Sequence, residues 1–545
     1  SHYAMAVSSA RQYLSQEPQK LLSEKPTDID RARYYMAMSY LKADMPGCAD
    51  TALNLVNQTT DANYSQRISF SLAQYYFQHD SLNSAIPLYE QMGTANLTEG
   101  EVADSKFELA YCYFNNNQFD KAGPLFAAIK EKKDGKYYMA GNYYYGLLSY
   151  NDNKYDEALN SFYIVKDSKE YRTIVPYYIA EIYYFKGDRA KALAQADSIL
   201  KGREKSYYDN DVHLLAAQCL FEDQRYADAK PYFEYYYEHA EKIRKDDLYK
   251  IAYTYYRVNE WPNAIEKFKM LNDAQDSLGQ TAMYLLGDCY LKTDDRASAR
   301  NAFGICADMT FNKGQQEASM ILYSRLCYDM GYNDEALKQL DNLVTTFPKT
   351  QYRDEANTIT SDLLIKTNSY EEALKHLEDV NVKDNDYWKV YQKATFGHAV
   401  QLYRRGDLAG ANNYLGLSLQ HPINGDYEAA AHFWKGEIAY HAHRYSDVIS
   451  NSQNFISRKG NMAAVERISP LATIQHAYIN MGYAAMESQN FGAAQNYFNL
   501  AQEAGGKDKY SSEVASLREA DAVFMQKSYA KAISLYDRII AAGGA

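Results

Sequence analysis

Thirteen alanines and one valine recur along this 545-residue chain at nearly even intervals: Ala49, Ala85, Ala122, Ala158, Ala192, Ala229, Ala264, Ala299, Ala336, Ala373, Ala411, Val448, Ala494 and Ala532. Successive members stand 34 to 38 residues apart, with one step of 46. A period in this range marks a tandem array of one supersecondary unit, which restricts the fold more than any other feature of the chain. Below, each of these fourteen is the reference residue of its unit.

The stretch Phe107–Phe126, FELAYCYFNNNQFDKAGPLF, shows what the unit is. Leu109, Ala110 and Tyr113 share one face of a first helix, and Phe119, Ala122 and Phe126 share one face of a second. Spacings of three and four residues put them there. Asn115, Asn116 and Asn117 break the pattern between the two. Such a hairpin cannot bury its apolar face alone, so adjacent units must cover it.

The same positions recur. Three before the reference stands a large residue, as in Leu82, Phe119, Tyr155, Tyr226 and Trp261; four after stands another, as in Phe126, Phe162, Phe233 and Phe303. Twelve before it the residue is small, as in Ala37, Ala110, Gly146 and Gly287, and nine before it Tyr40, Tyr76, Tyr113 and Tyr255 appear. Pro87, Pro124 and Pro231 lie two after their references, early in the second helix, where a lost N–H is tolerated better than mid-helix. Pro348 and Pro422 fall where second helices should stop. With 27 glycines and 11 prolines, the chain is poor in breakers, and its 46% hydrophobic content can supply a continuous core.

These residues resemble the tetratricopeptide repeat family. The resemblance spans nearly the whole chain in about fourteen units and implies an all-α fold, an α-solenoid of antiparallel helix pairs wound as a right-handed superhelix. Residues 1–25 read as a partial repeat or capping helix, 26–456 as the repeat array, 457–470 as an extended inter-repeat connection, and 471–545 as C-terminal repeats. The long connection is the expected place for a bend. Arg189 and Arg296 depart from the aromatic pattern. Tyr332, four before Ala336, implies one inserted residue, and the first helix before Ala373 is unusually polar. The opening residues resemble the second helix of a repeat whose first is missing, so a longer parent protein is expected.

What the resemblance implies for function is partner binding on a concave surface lined by first helices. Mapped onto this sequence, the inward positions fifteen before the reference hold Tyr34, Phe70, Phe107, Tyr143, Tyr177, Tyr249 and Tyr284. Those eight before hold Phe114, Tyr150, Tyr184 and Tyr256, and Tyr111 and Tyr253 complete the set of partner-binding candidates. Tyrosine is unusually frequent, at 55 residues. It offers large contact area at low entropic cost and suits a groove for a peptide or an amphipathic helix. The same rings could instead be core between repeats. No carboxylate clamp is expected, because the place its lysine would occupy is aromatic in nearly every unit.

Other chemistries find little support. The formal net charge is −12 with no long basic run, which argues against nucleic acid. No apolar run is long enough to span a membrane. Cys112, Cys219 and Cys289 fall ten before their references and Cys327 nine before, which reads as buried spacers rather than disulfide partners. Cys48 and Cys306 lack metal-ligand spacing. Seven of eleven histidines lie between His376 and His476, but His441 and His443 are two apart and do not share a helical face. Gly505-Gly506-Lys507-Asp508 lacks the rest of a phosphate loop. Asn57, Asn63 and Asn96 begin glycosylation sequons, which count only in a secreted eukaryotic protein.

The expectation is therefore a non-enzymatic scaffold for protein or peptide partners, without cofactor, metal or catalytic residues. The alternatives are a structural spacer or self-association module, or the regulatory arm of an enzyme whose catalytic part lies elsewhere. Phe347–Tyr352, FPKTQY, resembles the inter-repeat turn of large tyrosine-rich repeat proteins of the Gram-negative cell envelope. That implies a periplasmic or outer-membrane-associated location, with the cytoplasm as the alternative.

Overall fold

The computed structural model describes residues 2–15, 26–458, 461–506 and 508–543. Among them every regular element is an α-helix, 30 in all. Each helix packs chiefly on the next one or two along the chain, which is the α-solenoid expected. The chain divides into two compact units, Ser1–Glu260 and Trp261–Ala545. Of the opening partial repeat, the helix His2–Leu14 is described and 16–25 lie outside the described residues, as do Lys507 and the last two residues of the chain.

Several first helices start on polar caps that satisfy otherwise unpaired N–H groups. Thr98 and Glu101 form a full capping box on Glu99–Asn115, and Asp276, Asn312, Asp384 and Asn424 each accept a hydrogen bond from their helix. The helix then runs to a fixed stop. From Ala85 onward each first helix ends seven residues before its reference and each second helix begins three before, as Asn115 and Phe119 do around Ala122.

The turn between them has one conformation throughout. The residue five before the reference is left-handed in every case: Asp80, Asn117, Asn153, Gly187, Gln224, Asn259, Asp294, Gly331, Asn368, Gly406, His443, Gln489 and Lys527, with φ from 57° to 85°. The next N–H then reaches back to the carbonyl nine before the reference, as Gln118 does to Tyr113 and Asn490 to Ala485, both at 2.8 Å. That closure satisfies a helix-terminal carbonyl and reverses the chain in three residues.

Two expectations about spacing are corrected by these turns. Around Ala336 nothing is inserted: the helices end at Asp329 and begin at Asn333, and Tyr332 is simply the residue preceding the second helix. In the first hairpin, by contrast, the turn holds residues 43–47, and Gly47 is left-handed at φ 69°. The second helix therefore starts late, Ala52 is the fully buried residue, and Ala49 sits only at the core's margin.

In several hairpins the core rests on one recurring contact. Phe126, Phe162, Phe268 and Phe498, four after their references, are completely buried. Where the residue twelve before the same reference is glycine, the ring lies directly against it. A Cβ on Gly146 would stand 2.7 Å from the Phe162 ring, and one on Gly482 would stand 2.5 Å from that of Phe498. Burying a side chain of this size contributes about 1.5–3 kcal/mol, so the small residue is what lets the ring seat. All six cysteines are free and buried; burial pushes the thiols of Cys112, Cys219 and Cys289 up to about 12.

The stretch 457–470 contains the short helix Met462–Ile468, and residues 459–460 within it lie outside the described residues. Val465 is buried in a core shared with Trp434 and Phe455, and Trp434 Nε1 donates to Ser469 Oγ at 2.9 Å.

Candidate functional site

The structure separates twelve of the thirteen candidate rings into three groups, and Tyr184 stands apart with its hydroxyl donating to Glu222. Phe70 is a correction: at 5% exposure it belongs to the core of the first unit and presents almost no surface. Its helix, Ala62–Gln78, turns that position toward the neighbouring core rather than to solvent.

The second group pairs with the following repeat. Phe107 stacks on Tyr137 at 4.2 Å, Tyr143 on Tyr171 at 4.2 Å, and Tyr177 on Tyr208 at 4.7 Å. Each partner precedes the next first helix, so the position fifteen before the reference joins repeats, and one face of each ring is covered. Burial pushes the Tyr143 phenol up to about 12 and raises that of Tyr177 further. Tyr34 lies 5.5 Å from Tyr64 of the next repeat, whereas Tyr284 lies 5.9 Å from Phe303 of its own hairpin; both rings are half-buried.

The third group is half-buried as well. Tyr111 meets Phe77 and Tyr144 edge-on, each at 5.6 Å. Phe114 lies 5.7 Å from Phe119, and Tyr150 lies 6.4 Å from Tyr155. Tyr253 sits between Phe221 and Tyr226, each at 5.8 Å, and the Arg257 guanidinium lies 4.5 Å from the Tyr226 ring. Tyr249, Tyr253 and Tyr256 stack along one helix face at 5.9 Å spacings. Burial pushes the Tyr249 phenol up to about 12.

Tyrosine hydroxyls have a second use that sequence reasoning missed. Tyr150 donates to Glu181 at 2.7 Å, Tyr177 donates to the same carboxylate at 3.0 Å, and Tyr184 donates to Glu222. Tyr232 to Asp197, Tyr328 to Asp362 and Tyr137 to Asp104 repeat the motif between other repeats. The abundance of tyrosine and the excess of carboxylates are thus one feature, a set of phenol–carboxylate fasteners. Three of the candidates therefore offer a partner their ring edges, their hydroxyls being committed already.

Sequence reasoning also missed Phe185. It is 52% exposed and stacks on Tyr155 at 6.0 Å, beside Tyr150 and Tyr184. As the last residue of the helix Val175–Phe185, it falls outside the apolar periodicity, which is why the pattern did not mark it. Phe119, read from sequence as packing, is 39% exposed at the start of its helix and belongs to the same surface.

His441 Nε2 and His443 Nδ1 each lie 3.0 Å from a tyrosine hydroxyl, Tyr403 and Tyr445 respectively. Among the described residues no group of three or more His, Cys, Asp or Glu side chains is arranged to hold a metal ion, and no helix is long and apolar enough to cross a membrane.

Residues 281–308 and 479–545 match models of the tetratricopeptide repeat. The helical hairpin seen there recurs through both units, and the fold is an α-solenoid. No curated protein matches the chain. Among solved structures, it is similar to a tetratricopeptide repeat protein from Parabacteroides merdae at 13% identity, covering 45% of this chain and 91% of that one, with a TM-score of 0.26. It is similar to the C-terminal part of a TPR repeat-containing protein from Cytophaga hutchinsonii at 14% identity, covering 52% and 96%, with a TM-score of 0.31. It is also similar to a chain of the APC/C hetero-tetramer Cut9-Hcn1 at 15% identity, covering 92% and 98%, with a TM-score of 0.24.

Proposed function

We propose that this tetratricopeptide-repeat array is a non-catalytic scaffold that captures protein or peptide partners on the aromatic surface of its first unit. The observation that carries the reading is a set of ring clusters near the hairpin turns, in which exposed Phe119 and Phe185 join half-buried neighbours: Phe114 with Phe119, Tyr150 with Tyr155 and Phe185, and Tyr226 with Tyr253. Aromatic anchors set among polar side chains are what a peptide or amphipathic helix docks against. Tyr111, Tyr249 and Tyr256 extend that surface, and the ring edges of Tyr34, Phe107, Tyr143, Tyr177 and Tyr184 border it. The Gram-negative envelope is the proposed setting, on the strength of the Phe347–Tyr352 turn alone; fractionation of the native source would test it.

The decisive experiment compares affinity capture by the full-length protein with capture by Phe185→Asp and Tyr253→Asp variants. A partner held by the native chain and released by both variants, at unchanged far-UV circular dichroism, supports the assignment. Undiminished capture by both variants, or a collapse of helicity showing these rings to be core, overturns it.

A further inference from the structure

In the second unit, the first helices are not open along their whole face. Residues 467–471, at the end of the long connection, form a wall beside the helices Arg353–Lys366, Asn385–Arg404 and Gly425–His441 and enclose a pocket of about 600 Å³. Both sides are fixed. The wall is tied by the Trp434–Ser469 hydrogen bond and by buried Val465. The floor is set by Gly397, whose missing Cβ leaves room for the Tyr370 ring, and by Gln401 Nε2 donating to the Asn368 carbonyl at 2.9 Å.

The charge inside is unlike that of the chain. Lys393, Arg404 and Arg467 line the pocket and no carboxylate does, in a protein whose net charge is −12. Lys393 is already paired with Asp362 at 3.2 Å. Arg404 and Arg467 are exposed, and among the described residues neither meets an acidic partner. Val400 and Leu471 line it with them, the latter 54% exposed. A guanidinium lined up with aliphatic surface suits a side chain that has both a carboxylate and a hydrocarbon stem. The volume falls within the range of ligand pockets and is enough for a few residues of extended chain.

We propose that this pocket binds an acidic, glutamate-bearing peptide segment, with its carboxylates on Arg404 and Arg467 and its stems over Val400 and Leu471. With only three lining cations it is poorly equipped for a nucleic-acid backbone, whose affinity rises with the number of phosphates neutralised. The assignment uses residues of the second unit alone, so it stands or falls apart from the aromatic surface of the first.

The test uses the whole protein and a fluorescein-labelled, C-terminally amidated hexaglutamate probe, followed by anisotropy at low ionic strength. Saturable binding is expected, weakened at least about tenfold by Arg404→Gln with Arg467→Gln and unchanged by Lys531→Gln on the surface of the last hairpin. Hexaglutamine should bind at least about tenfold more weakly than hexaglutamate. The reversed pair, Arg404→Glu with Arg467→Glu, should transfer binding to hexalysine, a gain that an unfolded variant could not show. The proposal is overturned by absent binding, by equal affinity for hexaglutamine, by indifference to the arginine substitutions, or by reversed variants that bind neither probe. Equal, arginine-dependent capture of a hexathymidylate would make the pocket a general polyanion site and also overturn it.

Discussion

Gln280 and Asn312, 32 residues apart in adjacent repeats, exchange two hydrogen bonds. Gln280 Oε1 accepts the Asn312 N–H at 2.7 Å, and Nε2 donates to the Asn312 carbonyl at 3.0 Å and to that of Met309 at 3.0 Å. Gln280 is completely buried, so its amide completes a backbone that water cannot reach. Gln66 does the same for Met92 and Asn96, and Gln392 for Asn424. In Asp30 and Asp354 a carboxylate replaces the amide at the same position, nineteen before the reference, and collects N–H groups from the next loop.

Replacing Gln280 by leucine keeps the volume but leaves those backbone groups buried without partners. Each such loss costs about 1–3 kcal/mol. Urea denaturation should show the second unit destabilised by at least the lower figure. A variant as stable as the native chain would mean that the loop finds other partners and that the amide is incidental.

The left-handed turn residue makes an opposite prediction. Gln224 and Lys527 hold φ 59° and 63°, where a side chain with a Cβ is strained by roughly 1–2 kcal/mol. Glycine removes that strain and costs back about 0.5–1 kcal/mol in chain entropy. Gln224→Gly should therefore leave stability unchanged or raise it slightly, whereas Gln224→Val should lower it. Calorimetric melting temperatures that rank valine above glycine would contradict the turn geometry.

Glu108 gives a pH signature. Burial raises its carboxyl above the ordinary 4.5, against the hydrogen bonds that Tyr89 and Gln74 donate to it. A group whose folded value is raised binds more protons folded than unfolded. Its contribution is therefore favourable at low pH and is lost as pH rises from 4.5 through the raised value. Asp354 has the opposite sign. The Asn381 N–H holds its carboxyl below 3.8, so its contribution is present above that value and is lost on acidification. Glu108→Gln should flatten the first trend and spare the second. Stability measured against pH from acid to neutral, with the same slope in native and variant protein, would dissociate Glu108 from it.

The hairpins and their period could be read in the sequence because they follow from apolar spacing, which is local. The thirteen turns of one shape could not. Asp, Asn, Gly, Gln, His and Lys all occupy the left-handed position, and the fixed distance to the reference residue marks it better than residue type does. The candidate surface was legible only in part. Phe70 and Phe114 lie on the same side of their helices by spacing, yet one is core and the other half-open, because which rings are covered depends on the following repeat. The phenol–carboxylate pairs escaped for the same reason: Tyr150 and Glu181 are 31 residues apart, and only stacking brings them together.

The glycines twelve before the reference test how tightly the hairpins are closed. A Cβ on Gly287 would stand 2.7 Å from the Phe303 ring, too close without movement. Yet Ala110 occupies the equivalent place over Phe126, with both residues fully buried, so a shift of the ring can admit one methyl group. Gly287→Ala relieves about 0.5–1 kcal/mol of helix entropy while adding overpacking of similar or larger size, usually 1–3 kcal/mol. The net change should be small, within about 1–2 kcal/mol of native. Gly287→Leu has no such precedent along the chain and must displace the whole ring, so it should destabilise the second unit clearly more than alanine does. Pairing it with Phe303→Ala vacates the ring's volume and should recover part of the loss. A denaturant series on the two single variants and the double variant measures that coupling. If leucine proves as mild as alanine, or if the double variant is simply the sum of its parts, the glycine–phenylalanine contact does not set the spacing of the two helices.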